Sequence, residues 1–350
     1  MTKRVMIAMS GGVDSSVAAY LMQQQGYECI GATMLLCGAA LTGKPADSTD
    51  AKAVADRLGI PFYEYDAQEL FCRQVVEPFI DVYATGGTPN PCVVCNKTVK
   101  FGHLLELALR QGCSHVVTGH YARIEQVDER YVLRKAPDEK KDQSYFLAGL
   151  SQYQLAHTLF PLGQLTKEQV RQIAEEQGFI NARKRDSQDI CFIPDGDYYA
   201  FIKRYTGTNY PDGAFLDPAG RQVGTHKGAM AYTLGQRKGL GLAMGAPVYV
   251  CGKDMEKNTV TVGPEELLFA KTLMASDLNW MPFPALTAPM RVTAKARSRH
   301  NAQPATVYPE GDQVRVVFDQ PQRALTPGQA VVFYNGDLVV GSGNITKVIY

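Results

Sequence analysis

An apolar run at residues 5–9 breaks at Ser10-Gly11-Gly12-Val13-Asp14-Ser15-Ser16, and helical spacing begins at once. A buried strand, a two-glycine turn and a helix in direct succession constrain this chain more than any other segment. Glycine lets the backbone turn tightly and approach an anion. Successive N–H groups with a helix N-terminus behind them cradle negative charge. Ser10, Ser15 and Ser16 offer hydroxyl donors, and Asp14 is a candidate magnesium ligand. No Gly-Lys-Ser/Thr is present, so this is not a Walker loop. The plain alternative is a turn ahead of a serine-capped helix, which the strand–turn–helix context disfavours.

The alternation continues. Val17, Ala18, Leu21 and Met22 mark a helix over 15–25, stopped by Gly26. Residues 29–36 read as a second strand, 47–58 as a helix stopped by Gly59, and 61–65 as a third strand. A helix over 101–111 leads to a fourth strand at 115–118. This rhythm predicts an α/β fold with a mostly parallel sheet covered on both faces. Ligands in such sheets sit at the carboxyl ends of the strands. The loops after Met9, Leu35 and Thr118 therefore form the expected site.

A capped helix is expected over 166–177. From about Tyr205 the helical period is lost, and glycine and proline multiply. Short β-like runs stand at 247–251 and 259–263, and residues 290–350 are nearly all strands and turns. The strands are expected at 291–295, 305–308, 313–318, 330–334 and 338–342, with Asn335-Gly336-Asp337 as a hairpin turn. Three parts are expected: an α/β nucleotide-binding domain over 1–204, a β-rich connector over 205–280 and a C-terminal β-barrel over 281–350.

Bulk properties narrow the class of partner. Lysine plus arginine total 36 against 35 for aspartate plus glutamate, a net charge of +1. RNA binding would need local basic patches. Candidates are Lys135, Lys140 and Lys141, then Arg183-Lys184-Arg185, then Lys295, Arg297 and Arg299. No apolar stretch is long enough for a bilayer and no leader pattern precedes residue 5, so a cytoplasmic location without membrane contact is expected. Eight cysteines are too few for a disulfide scaffold in a chain of 350 residues.

Two cysteine segments carry chemistry: Asn90-Pro91-Cys92-Val93-Val94-Cys95-Asn96-Lys97 and Asp186-Ser187-Gln188-Asp189-Ile190-Cys191-Phe192-Ile193. One thiolate can hold a persulfide while a second resolves it. Cys92, Cys95 and Cys191 also make three thiolates, enough for a four-iron cluster with one iron open. Zinc is disfavoured, since no second CxxC completes four ligands. Cys29, Cys37, Cys72, Cys113 and Cys251 sit in or near apolar runs and read as packing residues.

The glycine loop resembles that of the ATP pyrophosphatase (PP-loop) superfamily, whose members cleave ATP to AMP and pyrophosphate while adenylating a substrate oxygen. The resemblance becomes specific with Asn90-Pro91-x-x-x-Cys95-Asn96-Lys97 followed by Lys100-Phe101, and with Lys141-Asp142-Gln143-Ser144-Tyr145-Phe146-Leu147. The Cys191 segment, Gly224-Thr225-His226-Lys227-Gly228, Tyr232-Thr233-Leu234-Gly235-Gln236-Arg237-Lys238-Gly239-Leu240-Gly241 and Pro327-Gly328-Gln329-Ala330-Val331 follow in order. Together these blocks are similar to the bacterial tRNA-specific 2-thiouridylase family over nearly the whole chain.

That resemblance implies an ATP-dependent sulfurtransferase that replaces the 2-oxygen of the wobble uridine of tRNA with sulfur. It implies ATP contacts at Ala8, Met9, Ser10, Gly11, Gly12, Val13, Asp14, Ser15, Met34 and Gly119. It makes Cys95 the nucleophile and Cys191 the persulfide carrier, linked afterwards as a disulfide. Asn90, Pro91 and Cys92 would meet the target base. His120, Lys141, Asp142, Gln143, Arg299, His300 and Gln329 would meet tRNA. Magnesium, a sulfur-donor protein (a cysteine desulfurase or relay protein) and a monomeric state complete the expectation. One position departs: the family commonly has aspartate where Cys92 stands, which keeps a sulfide-holding iron–sulfur cluster open as the alternative. A PP-loop amide- or amidine-forming ligase and a non-catalytic RNA-binding module are the readings from other classes.

Overall fold

The computed structural model describes residues 3–184 and 190–350. β1 (Arg4–Ala8), β2 (Glu28–Leu35), β3 (Phe62–Asp66), β4 (His115–Val117) and β7 (Thr158–Leu159) form a parallel sheet in the order β3-β2-β1-β4-β7. Successive strand residues face opposite sides. Met6, Ile30 and Val116 pack with Leu104, Leu105 and Ala108 on one face. Val5, Ile7 and Val117 pack with Val17, Ala18, Val54 and Val170 on the other. Burial on both faces explains why these strands read as continuous apolar runs.

The chain winds outward from β1 to β3, then restarts at β4 on the other side of β1. The strand order reverses between β1 and β4. In sheets of this order ligands bind outside the carboxyl ends of the two strands, here between the loops after Ala8 and Val117. The helix Val13–Gln24 leaves the first loop, and Lys167–Glu176 packs against it behind a Thr166/Gln169 capping box.

The helix expected from residue 101 is longer and less regular. Pro91–Cys95 runs into a π-helical segment, Asn96–His103, and then into Leu104–Arg110. Each wide π turn shifts the side chains that follow it around the axis, a feature common at functional sites. Cys92, Cys95 and Lys100 all sit on this stretch.

The connector holds β8 (Gly213–Leu216), β9 (Gln222–His226), β10 (Tyr249–Asp254) and β11 (Thr259–Gly263), in the order β10-β11-β8-β9. The barrel closes from β12 (Phe269–Trp280), β13 (Met290–Lys295), β14 (Gln303–Glu310), β15 (Gln313–Arg323), β16 (Ala330–Asn335) and β17 (Leu338–Ile349), with β12 pairing to both β15 and β17. β12 precedes residue 281, so the barrel draws its first strand from the segment expected to be connector. Only Ala270, Leu273, Ala275 and Trp280 of that strand are buried, and bulges at 270–272 and 276–279 blur the period of two.

The sequence reading also missed the hairpin of β5 (Ala122–Val127) and β6 (Arg130–Lys135). β6 meets β17 at the Leu338–Arg134 pair, so the nucleotide domain donates two strands to the barrel sheet. Asp337 seals the joint, accepting from Arg123 at 2.6 Å and Arg134 at 2.8 Å. Among the described residues no helix is long and apolar enough to cross a membrane.

Candidate active site

The loop after β1 has the shape an anion needs. Gly11 adopts φ +70°, a region that side chains disfavour, and a Cβ there would lie 3.2 Å from Asp50 Cβ. Gly12 is the N-cap of Val13–Gln24 and contributes no side-chain cap, so a ligand can meet the N–H groups of the first turn. The serine hydroxyls act differently from expectation. Ser15 Oγ and Ser16 Oγ both donate to the Gly12 carbonyl, at 3.0 and 3.1 Å, and Ser15 Oγ accepts from the Ser10 amide. Two of the three hydroxyls therefore fix the loop before any ligand arrives, because their protons are committed to its own carbonyl.

Residues that the sequence did not single out complete the loop. Buried Asn181 donates to the Gly11 carbonyl at 3.1 Å and to Ser16 Oγ at 2.9 Å. Lys184 binds Asp50 at 2.6 Å and reaches the Gly11 carbonyl at 3.3 Å, so this supposed RNA contact sits on the phosphate loop. Asp14 is also placed differently. Its carboxylate accepts from the Tyr121 hydroxyl at 2.7 Å and from Lys167 Nζ at 2.7 and 2.8 Å. The carboxylate expected to hold magnesium is thus already paired with a cation here.

Gly119 approaches the loop from the segment after β4. A Cβ there would lie 2.6 Å from the Asp14 carbonyl carbon and 2.8 Å from the Ser15 nitrogen. Only glycine lets these two backbones touch. Ala8 ends β1, Met9 is buried and hydrogen-bonded to the Ala32 carbonyl, Val13 is buried, and Met34 is half-buried near the end of β2.

The cysteines gather nearby. Lys100 acts electrostatically on Cys92, Cys95 and Cys191 alike, in each case favouring the thiolate. Cys95 is buried, and desolvation pushes its thiol up to about 12 despite Lys100. Cys92 is exposed, yet the protein around its sulfur still raises it. Cys191 is exposed and drawn below the usual thiol range, first by the Cys37 thiol, then by Lys100 and the backbone N–H groups of Cys191 and Phe192. Asp186, Ser187, Gln188 and Asp189, with Arg185, lie outside the described residues.

Cys37 packs against the apolar core as expected, and it also meets the site. Its thiol donates to Cys191 Sγ at 4.0 Å. The signal was present, since Cys37 follows Leu35, whose loop was expected to border the site. For an iron–sulfur cluster three thiolates must converge as ligands. Among the described residues no three histidine, cysteine, aspartate or glutamate side chains do so.

Several expected RNA-facing residues are structural in their contacts. His120 packs between Phe101 and Phe160, bonds Thr118 Oγ1 at 2.7 Å, and is held neutral by burial. Asp142 accepts from the Ala136 amide and the Ser144 hydroxyl, and Gln143 accepts from the Tyr121 amide at 2.9 Å. Gln329 is buried and donates to the carbonyls of Thr88 and Pro89 at 2.8 and 3.1 Å. It thereby sets the segment leading to Asn90, which bonds the Tyr145 hydroxyl, and to Pro91, which is buried. Lys135 lies over the Tyr334 ring, and Lys295 over that of Tyr145. Arg297 donates to Thr326. Lys140 and Arg299 are exposed, while Lys141 and His300 are half-buried.

Comparison with known proteins follows the same division of the chain. Family models described as tRNA methyl transferase HUP domain, tRNA methyl transferase PRC-barrel domain and aminomethyltransferase beta-barrel domain match residues 3–195, 199–264 and 270–345. The tRNA-specific 2-thiouridylase MnmA of Clostridioides difficile is 46% identical over 359 residues, covering 99% of each chain. That of Clostridium acetobutylicum is 48% identical, covering 99% of this chain and 100% of the relative. Among solved structures, the U34-tRNA thiolase NcsA from Methanococcus maripaludis with its [4Fe-4S] cluster aligns at TM-score 0.36 and 18% identity, covering 59% of this chain and 71% of that one. At that level the likeness carries no functional argument.

Proposed function

The chain belongs to the tRNA-specific 2-thiouridylase family, and from that premise we propose how its residues divide the reaction. The enzyme is a tRNA sulfurtransferase with a PP-loop ATP-binding domain.

ATP lies with its phosphates over the N–H groups of residues 10–15. The 2-oxygen of an extruded wobble uridine attacks the α-phosphate, N3 loses its proton and pyrophosphate leaves. Adenylation is needed because a carbonyl oxygen leaves poorly and AMP leaves well. Asn90, Pro91 and Cys92 border the base. The terminal sulfur of a Cys191 persulfide adds to C2 and AMP departs, which leaves the base joined to Cys191 through a disulfide. Cys95 attacks Cys191 Sγ, and its proton passes to N3. The products are 2-thiouridine and a Cys95–Cys191 disulfide, which a dithiol reductant reopens.

The observation that carries this division is the shared cation. Lys100 favours the thiolate at Cys95 and Cys191, residues 96 positions apart in sequence. Their contrast in environment suits their roles. Exposed Cys191 is a ready thiolate that a donor protein can reach, while buried Cys95 stays protonated until its turn. Magnesium enters with the nucleotide rather than on Asp14. A cysteine desulfurase or sulfur-relay protein loads Cys191. His120, Lys141, Asp142, Gln143 and Gln329 shape the tRNA-facing side, where Arg299 and His300 stand at the barrel end. The chain works as a cytoplasmic monomer. An amide- or amidine-forming ligase would need no thiols.

Purified enzyme with ATP, magnesium, a persulfide donor and tRNA should form 2-thiouridine, and Cys191→Ala should abolish it. Undiminished product from Cys191→Ala would overturn the assignment.

A further inference from the structure

Cys37 stands two residues beyond β2, on the loop that leaves the carboxyl edge of the sheet. Its thiol hydrogen-bonds Cys191 Sγ at 4.0 Å, across 154 positions of sequence. Among the described residues no such hydrogen bond joins Cys95 to Cys191. Cys95 and Cys72 also lie within electrostatic range of Cys37, so it belongs to a cluster of thiols. It is half-buried and packs against the apolar cluster that holds Phe71, Phe192 and Val76.

We propose that Cys37 is a second resolving thiol, which discharges the Cys191 persulfide when no uridine adenylate occupies the site. The proposal rests on the persulfide reading of Cys191. Cys37 Sγ attacks Cys191 Sγ, and the bond between Cys191 and its terminal sulfur breaks. A Cys37–Cys191 disulfide forms. The terminal sulfur leaves as hydrosulfide, carrying the proton that Cys37 held. Two protein thiols are thereby oxidised to a disulfide while the sulfane sulfur is reduced, and a dithiol reductant restores the pair. Closing the gap to a bonded distance needs about 2 Å of approach, a movement within reach of a loop residue.

The consequence is a choice between two partners for one sulfur. With an adenylated base in place, the terminal sulfur is consumed at C2 and Cys95 resolves the product. Without one, Cys37 is the thiol already in contact. An exposed persulfide is prone to over-oxidation, and discharge into a reducible disulfide protects Cys191.

The test uses the full-length enzyme loaded with inorganic polysulfide, without ATP or tRNA. Hydrosulfide release is measured, and disulfide-linked peptides are mapped without reduction. Wild type and Cys95→Ser should each release about one hydrosulfide per loaded chain and yield the Cys37–Cys191 peptide. Cys37→Ser and Cys37→Ala should release it at least about tenfold more slowly and retain the persulfide. ATP binding confirms that the variants fold. Discharge at the wild-type rate in the Cys37 variants, or recovery of the Cys95–Cys191 peptide alone, overturns the proposal. Thiolation by Cys191→Ser in the presence of tRNA separates the two failures, because persistent 2-thiouridine there removes the persulfide reading itself.

Discussion

Lys167 Nζ stands 2.7 and 2.8 Å from the two carboxylate oxygens of Asp14, at the first turn of the helix that begins in the phosphate loop. Lys167 is 7% exposed, so this is a largely dry ion pair beside the place where a triphosphate must sit. It keeps a carboxylate in the ATP pocket without net repulsion of the phosphates.

Removing the ammonium should expose that repulsion. Breaking a buried pair costs on the order of 3–5 kcal/mol, and the partial exposure of Asp14 lowers the figure. Lys167→Met should raise the KM for ATP at least about tenfold and lower the melting temperature. Pyrophosphate release and thermal unfolding check both. An unchanged KM would show that the pair is scaffolding alone.

Gly119→Ala should disable ATP use without unfolding the sheet. The added methyl would meet Asp14 and Ser15 backbone atoms at 2.6–2.8 Å, contacts that only a shift of the loop relieves. ATP binding measured by calorimetry should weaken by about tenfold or more, with circular dichroism unchanged. Wild-type affinity would mean that the two backbones separate freely.

The two reaction thiols should titrate far apart. Cys191 is drawn below the usual thiol range by the Cys37 thiol and Lys100, whereas burial carries Cys95 to about 12. A thiol alkylates as its thiolate, so labelling of Cys191 should rise at lower pH than that of an ordinary thiol, while Cys95 stays unmodified below about pH 10. In Cys37→Ala the first cause of the Cys191 depression is gone, and its labelling curve should move to higher pH. Mass spectrometry of labelled peptides reads each site separately. Equal curves for the two cysteines would contradict the environments described.

Gln329→Ala should impair the RNA step and spare the nucleotide step. The substitution leaves the Thr88 and Pro89 carbonyls without their donor, at about 1–3 kcal/mol. The kcat/KM for tRNA should fall by about tenfold or more while ATP affinity holds. Equal losses on both substrates would assign Gln329 to general stability.

Protein purified without oxygen should carry almost no iron and no visible cluster absorption while thiolating fully. Stoichiometric iron whose removal abolishes activity would restore the three-thiolate alternative.

The legible part of this chain was whatever its own local pattern specified. β1, the turn at Gly11-Gly12 and the helix behind it read directly, because strand, glycine and helix signals are adjacent. The Thr166/Gln169 cap and the hairpin at Gly336 read for the same reason. β12 did not, since its bulges interrupt the alternation. The β5–β6 hairpin did not, because its turn at Asp128-Glu129 lacks the glycine that marks a tight hairpin. The same limit governed the site. Cys95 and Cys191 stood out by motif, but Cys37, Lys167, Tyr121 and Asn181 gain their roles from contacts across 107 to 170 residues.

The segment that lies against the phosphate loop, 118–121, continues without a break into β5, and β6 is stapled to the barrel through Asp337. From Tyr121, which grips Asp14, to the barrel wall there is therefore no slack chain. The barrel wall and the residue that steadies the phosphate loop are thus the two ends of one two-stranded arm.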